Sequence, residues 1–252
     1  MAFTYDIRAM LRKFGVVTVM DIQAYRTVLF TEAQEADGDK AAYAVGEWDA
    51  VKTLSAEPVF TLDTLKIANI NQEGPTKTIT GGQNADTLLK YGKTLTMEMQ
   101  EALGRYDVLK EMYGVTYSDN HQIATFTDRF PGELTLVGTT FVIDQATGAK
   151  QPIHIVIPRF LGDGIFNLTQ DSEGDATVFD MNGNVLKFEG GATVEGKATK
   201  VDGFDCDTTH GWDGYIYGAD SGADNEFYFM CTQEVLPQIK SAGYREAGTA
   251  TN

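Results

Sequence analysis

The sequence predicts a mainly β protein, an antiparallel sandwich or partial barrel with one short α-helix beside it. Three observations carry this. The clearest two-residue alternation in the chain falls at 94–100, where Leu95, Met97 and Met99 face one way and Thr94, Thr96, Glu98 and Gln100 the other. Leu134 to Ile143 and Ile153 to Ile157 bracket a loop at 144–150 that contains Gly148, which reads as a hairpin. Glycine is frequent, at 26 residues against 6 prolines, as suits many tight turns between strands.

Taken in order, residues 1–15 read as an amphipathic helix or arm. Thr4 caps it, Ile7, Met10, Leu11 and Phe14 share a face, and Gly15 ends it. Two readings stand for it: an arm that docks on a neighbouring subunit, or a helix packed on its own domain. Val16 to Met20 and Tyr25 to Phe30 are β-rich. Residues 31–50 are acidic and small around Asp37-Gly38-Asp39, and read as a loop insertion.

Residues 60–115 read as strand, turn, strand, double-glycine loop, strand and short helix. Leu65 and Ile67 alternate with Lys66 and Ala68, and Glu73-Gly74-Pro75 interrupts the chain. Thr76 to Thr80 resumes as a β-branched strand, and Gly81-Gly82 opens a polar loop. Between Gly104 and Gly114 the period turns helical, with Tyr106, Leu109 and Tyr113 on one face and Gly114 as the cap.

Beyond this, Thr125 to Thr127 is a short strand and Phe130-Pro131-Gly132 a turn. In the 134–157 hairpin, Ile153, Ile155 and Ile157 alternate with His154 and Val156. Both faces are thus largely apolar, one for a second sheet and the other for a partner. Asp175 to Glu189 reads as a second hairpin turning at Asn182-Gly183, a dipeptide that tolerates positive φ. Another strand is expected within Ala192 to Val201. Between Lys200 and Lys240 there is no Lys or Arg but eight Asp/Glu, interleaved with aromatics such as Trp212, Tyr215 and Tyr217. The acidic aromatic subregion 202–230 is either a small second domain or a decoration of one domain spanning 1–252. Tyr215 to Tyr217 and Phe227 to Cys231 read as strands, and 232–244 as a short helix interrupted by Pro237.

Composition narrows the function classes. Lys+Arg is 20 and Asp+Glu 36, a formal net charge of −16. That argues against a broad phosphate-binding face, which needs clustered cations. It suits a surface past which nucleic acid moves without sticking. Cys206 and Cys231 are too few for a disulfide scaffold; two free thiols in a reducing compartment are the favoured reading over one bridge. No run approaches a membrane span, and Arg8, Arg12 and Lys13 are not followed by the apolar core of a signal peptide.

The chemical motifs fail their tests. Gly92-Lys93-Thr94 lacks the glycine a phosphate loop needs, since Thr87 stands there, and alternation rather than a helix follows. Asp205, Asp207 and Thr209 have calcium-loop spacing, but His210 and Ile216 stand where Gly and Glu are required. His121, His154 and His210 form no zinc-ligand pattern. Ser221 lies one residue out of nucleophile-elbow register. Carboxylates are plentiful but not arranged as an acid and base pair. No catalytic residue, cofactor or metal is therefore expected.

A polar-to-basic strand ending in Thr80-Gly81-Gly82, then "LLKYGK" at Leu88 to Lys93 with Tyr91-Gly92, then "LTMEMQEALG" at Leu95 to Gly104 with Leu103, then a helix closing in "MYG" at Gly114, resembles virion structural proteins of tailed bacteriophages, above all tail tube proteins. Gln83 follows the glycine pair, and Gln100-Glu101-Ala102-Leu103 stands in place of an acidic "EDAL". The resemblance implies ring-forming subunits, usually hexameric, stacked head to tail. Paired strands from all subunits line a lumen that DNA crosses without specific binding. Partners would be further copies and other tail proteins, and the location the virion tail after assembly in the host cytoplasm. Strands within Leu65 to Met99 or Leu134 to Ile157 are then expected to form the lumen sheet, and Lys77, Lys90 and Lys93 to contact acidic loops of other subunits. The alternatives are a baseplate, neck or capsid-decorating protein, and a carbohydrate-binding or carbohydrate-active protein using Trp212, Tyr215 and Tyr217.

Overall fold

The computed structural model describes residues 18–33, 44–63, 65–74, 76–81, 85–90, 92–101, 105–118, 120, 122–143, 148, 150–165, 179–188 and 227–232. In chain order the elements are β1 (Thr18–Arg26), α1 (Ala50–Ser55), β2 (Phe60–Leu62), β3 (Leu65–Glu73), β4 (Thr76–Gly81), β5 (Ala85–Lys90), β6 (Thr94–Glu101), α2 (Tyr106–Tyr113), β7 (Thr116–Tyr117), β8 (Ala124–Thr125), β9 (Leu134–Ile143), β10 (Lys150–Gly162), β11 (Phe179–Val185) and β12 (Phe229–Thr232). The fold is mainly β and its named strand pairs are antiparallel, as the alternation predicts. Among the described residues the strands do not close into a barrel. Described residues within 1–64, 132–160 and 187–252 form one compact unit, and those within 65–131 and 161–186 a second.

The first unit is a sheet in the order β2-β1-β9-β10, with β12 paired to β10. Cross-strand partners share a face. Tyr25, Val137 and Val156 lie on one face and pack with Trp48, Ala50, Leu54 and Phe188 into a buried cluster. Trp48 meets Phe188 edge-on, with ring centroids 5.9 Å apart. The opposite face carries Ile22, Ala24, Leu136 and Ile157, all buried as well. Both faces are apolar as expected, and both leave water within a single chain.

Several polar groups in this unit find partners within it. β10 contains Pro158, which has no N–H to give a ladder. The register shifts between Ile157 and Phe160, and the Pro158 carbonyl accepts the hydroxyls of Thr135 (2.7 Å) and Thr27 (3.1 Å). Asp49 caps α1 by accepting from the Lys52 backbone N–H at 3.0 Å. Arg159 grips Glu133 through two 2.8 Å hydrogen bonds, from Nε and Nη2. The segment read as a loop insertion therefore ends in core: Trp48 is fully buried, and a short helix follows that alternation did not announce.

The second unit is built on the strand order β11-β6-β3. Leu95, Met97 and Met99 are buried, while Thr94, Thr96 and Glu98 are exposed, as read from the sequence. They pair with Val185, Gly183 and Met181 across the ladder. Asn182-Gly183 is thus no turn. It lies in the middle of β11, opposite Glu98 and Met97, and Met181, Gly183 and Val185 alternate inward against exposed Asn182 and Asn184. A long ladder partner outweighs a two-residue turn signal.

Helix α2 forms and is capped by Gly114 at φ 65°, in the left-handed region. An added Cβ there would collide with the Arg129 carbonyl oxygen. The buried residues are Val108, Met112 and Tyr113, whereas Tyr106 is 51% exposed and Leu109 half-buried. The expected Tyr106-Leu109-Tyr113 stripe is corrected accordingly. Tyr106 instead stacks edge-on with Tyr117, ring centroids 5.0 Å apart. Tyr113 donates its hydroxyl to the Asp180 carbonyl at 2.7 Å. Burial first, then the nearby charges of Asp163 and Asp180, push its phenol well above the ordinary tyrosine range.

The expected helix at 1–15, strands at 192–201 and 215–217, the acidic stretch 202–226, and the helix at 232–244 (apart from Thr232 in β12) lie outside the described residues. Residues 227–231 contribute β12 from Phe229 onward, close to the expected strand.

Candidate assembly surfaces

Three features of the described residues are suited to contact with other chains. The first is a two-stranded ribbon. β4 and β5 pair from Thr76↔Lys90 to Gly81↔Ala85 and form a sheet of their own. The sequence predicts strand β4 followed by a polar loop; β5 forms within that loop because β4 gives it a ladder, which a six-residue stretch with Asp86 inside it does not advertise. Lys77 is registered with Leu89 and Lys90 with Thr76, so the two positions fall on opposite faces of the ribbon. Lys93 follows in an exposed connection. Between Gly74 and Lys93 the chain has three lysines against one carboxylate, Asp86, in a protein of net charge −16. A two-stranded ribbon alone is marginal in water and gains from being covered.

Of the other residues singled out from the sequence, Gly81 ends β4, Gly92 is exposed in open space and Gly114 is the helix cap. Gly82, Tyr91, Leu103 and Gly104 lie outside the described residues. The glycines are not gathered into one place by any described contact.

The second feature is the edge of β3. Its described pairing is with β6 alone, so one side of a nine-residue strand has no partner strand among the described residues. β9, by contrast, is bracketed by β1 and β10. The third is a group of exposed large apolar side chains in the second unit: Tyr106, Ile123 (62%), Phe126, Phe130 (82%) and Ile165. Sequence reasoning missed them, since a lone apolar residue between polar ones gives no periodic signal.

The sequence model of the YomU/Tube protein family matches residues 110–201. That stretch starts inside α2 and takes in β7 to β11, including the β9–β10 hairpin, so it lies almost wholly beyond the 60–115 segment on which the resemblance to tail tube proteins rests. A search of curated proteins finds no match.

Proposed function

We propose that this chain is a structural, non-catalytic subunit of a tailed-phage tail tube. Copies join into rings, hexameric by the resemblance, and the rings stack head to tail around a lumen for DNA. The single observation that carries the reading is the match of residues 110–201 to the YomU/Tube family, and the surfaces described above support it.

Ring closure by strand pairing needs an edge, and the β3 edge supplies one where β9 cannot. Of the two segments expected to line the lumen, Leu65 to Met99 is therefore preferred. Stacking needs a contact that differs from the ring contact, because a head-to-tail interface is heterologous. The lysine-bearing ribbon fits it: its local positive charge is complementary to the acidic remainder of a neighbouring copy. The net −16 charge also keeps a lumen from holding DNA.

The test is electron microscopy of concentrated protein beside the variant Lys77→Glu/Lys90→Glu/Lys93→Glu. Hollow tubes of regular repeat are expected from the wild type, and the variant is expected to raise the concentration needed for tubes by about tenfold or more. Wild-type protein that stays a small closed oligomer at all concentrations overturns the tube in favour of a neck, baseplate or decorating subunit. Tubes from the variant at the wild-type concentration remove the lysines from the stacking contact.

A further inference from the structure

We infer that the amphipathic N-terminal segment of one copy docks on the exposed apolar surface of the second unit of a neighbouring copy. The inference rests on the tube reading for its setting, but its chemistry comes from two separate observations.

The receiving surface is built on one compact substructure. Tyr117, which stacks on Tyr106, is paired with Ala124, placing α2 beside β7 and β8. Ile123 and Phe126 flank β8. Thr127 donates its hydroxyl to the Gly114 carbonyl at 2.7 Å, which ties the following chain back to the end of α2. Phe130 and Pro131 then lie against Gly164, next to Ile165. Pro131 is buried, so this connection is held, yet Phe130 stays 82% exposed. Of seven exposed large apolar residues among those described, five fall here: Tyr106, Ile123, Phe126, Phe130 and Ile165. Such a concentration marks an interaction site.

The occupant follows from pattern and charge. Ile7, Met10, Leu11 and Phe14 recur at i, i+3, i+4 and i+7, an apolar stripe made for a groove or patch. Residues 1–17 carry Arg8, Arg12 and Lys13 against Asp6, whereas the other 235 residues carry 17 cations against 35 carboxylates. The segment is thus a basic apolar helix-former on an otherwise strongly acidic chain. At the receiving surface Asp107, Asp128 and Asp163 lie within two residues of Tyr106, Phe126, Phe130 and Ile165, among the cations Arg105 and Arg129. Stacking brings one chain's segment to a neighbour's surface, so the cover is assigned to a second copy. Such an exchange is heterologous and propagates, as a stack requires.

The experiment places a photo-cross-linking amino acid at Phe130 in the full chain. It mixes isotopically heavy and light copies under assembly conditions and maps the linked peptides by mass spectrometry. Links from position 130 to residues 9–14 joining heavy and light copies are expected. Leu11→Asp, at the sequence-read stripe, should cut their yield by about tenfold or more, the factor for losing one buried leucine. Links only within one copy, or to other segments, overturn the inference. Tubes without the link overturn it and leave the tube reading standing. Linked small oligomers that never form tubes keep the docking and overturn the tube. Neither link nor tube overturns both.

Discussion

The two units of this chain solve the problem of apolar surface differently. In the first, Trp48, Tyr25 and Phe188 are fully buried, residues on both faces of its sheet are out of water, and its exposed large apolar residues among those described are Val45 and Tyr228. The second buries Met97, Met99 and Met181 well enough, yet among the described residues it leaves five large apolar side chains exposed, a strand edge without a partner strand and a separate ribbon. One unit behaves as a foundation, the other as a contact piece. Hydrophobic surface retained at a cost to solubility is informative where it is concentrated, because scattered exposed apolar residues are ordinary.

That contrast can be broken most directly at Trp48. Trp48→Ala is expected to cost the first unit about 3–5 kcal/mol, the range for emptying a buried aromatic site. Urea unfolding followed by tyrosine fluorescence and circular dichroism would measure it, and a loss below about 1 kcal/mol would deny the cluster its role. Gly114→Ala comes next. It places a Cβ at φ 65° and against the Arg129 carbonyl, so a loss of roughly 2–3 kcal/mol is expected. A stable, well-folded alanine variant would mean the α2 end relaxes without cost.

Tyr113 gives a smaller, pH-dependent effect. Tyr113→Phe removes the hydrogen bond to Asp180 and is expected to cost about 1 kcal/mol near neutral pH. The folded phenol is raised above the 10.0 of the unfolded chain. Its contribution is therefore whole below that pH and is lost as pH rises above it toward the folded value. Wild-type stability should fall above pH 10 more steeply than that of the phenylalanine variant; parallel curves would contradict the assignment. Phe130→Ser is expected to change stability least, within about 0.5 kcal/mol as for an exposed site, while weakening self-association in sedimentation velocity. A variant that loses stability but assembles normally would turn the contrast around, making Phe130 part of a core.

Much of the fold was readable from short-range pattern. The β6 alternation named its buried face residue by residue, Glu73-Gly74-Pro75 separated β3 from β4, the β9–β10 hairpin stood out, and Gly114 was recognisable as a cap. What escaped notice shares a cause. β5, the Asn182-Gly183 position and the face of α2 each depend on a partner distant in sequence. The tube resemblance came from one stretch of sequence and the family match from another, while the exposed apolar group was invisible until tertiary structure brought 105–131 together with 161–165.

By itself, then, the sequence determined the strand-rich class, the faces of its regular strands and the stops between them, because backbone geometry imposes a period of two on side chains and glycine has freedoms that no other residue shares. Tertiary structure alone decided that Asn182-Gly183 runs straight, that β4 has β5 beside it, that α2 turns Val108 and Met112 inward, and that Trp48 is core. Each of these was settled by ladder partners and by apolar area removed from water across long stretches of chain, quantities to which no local pattern has access.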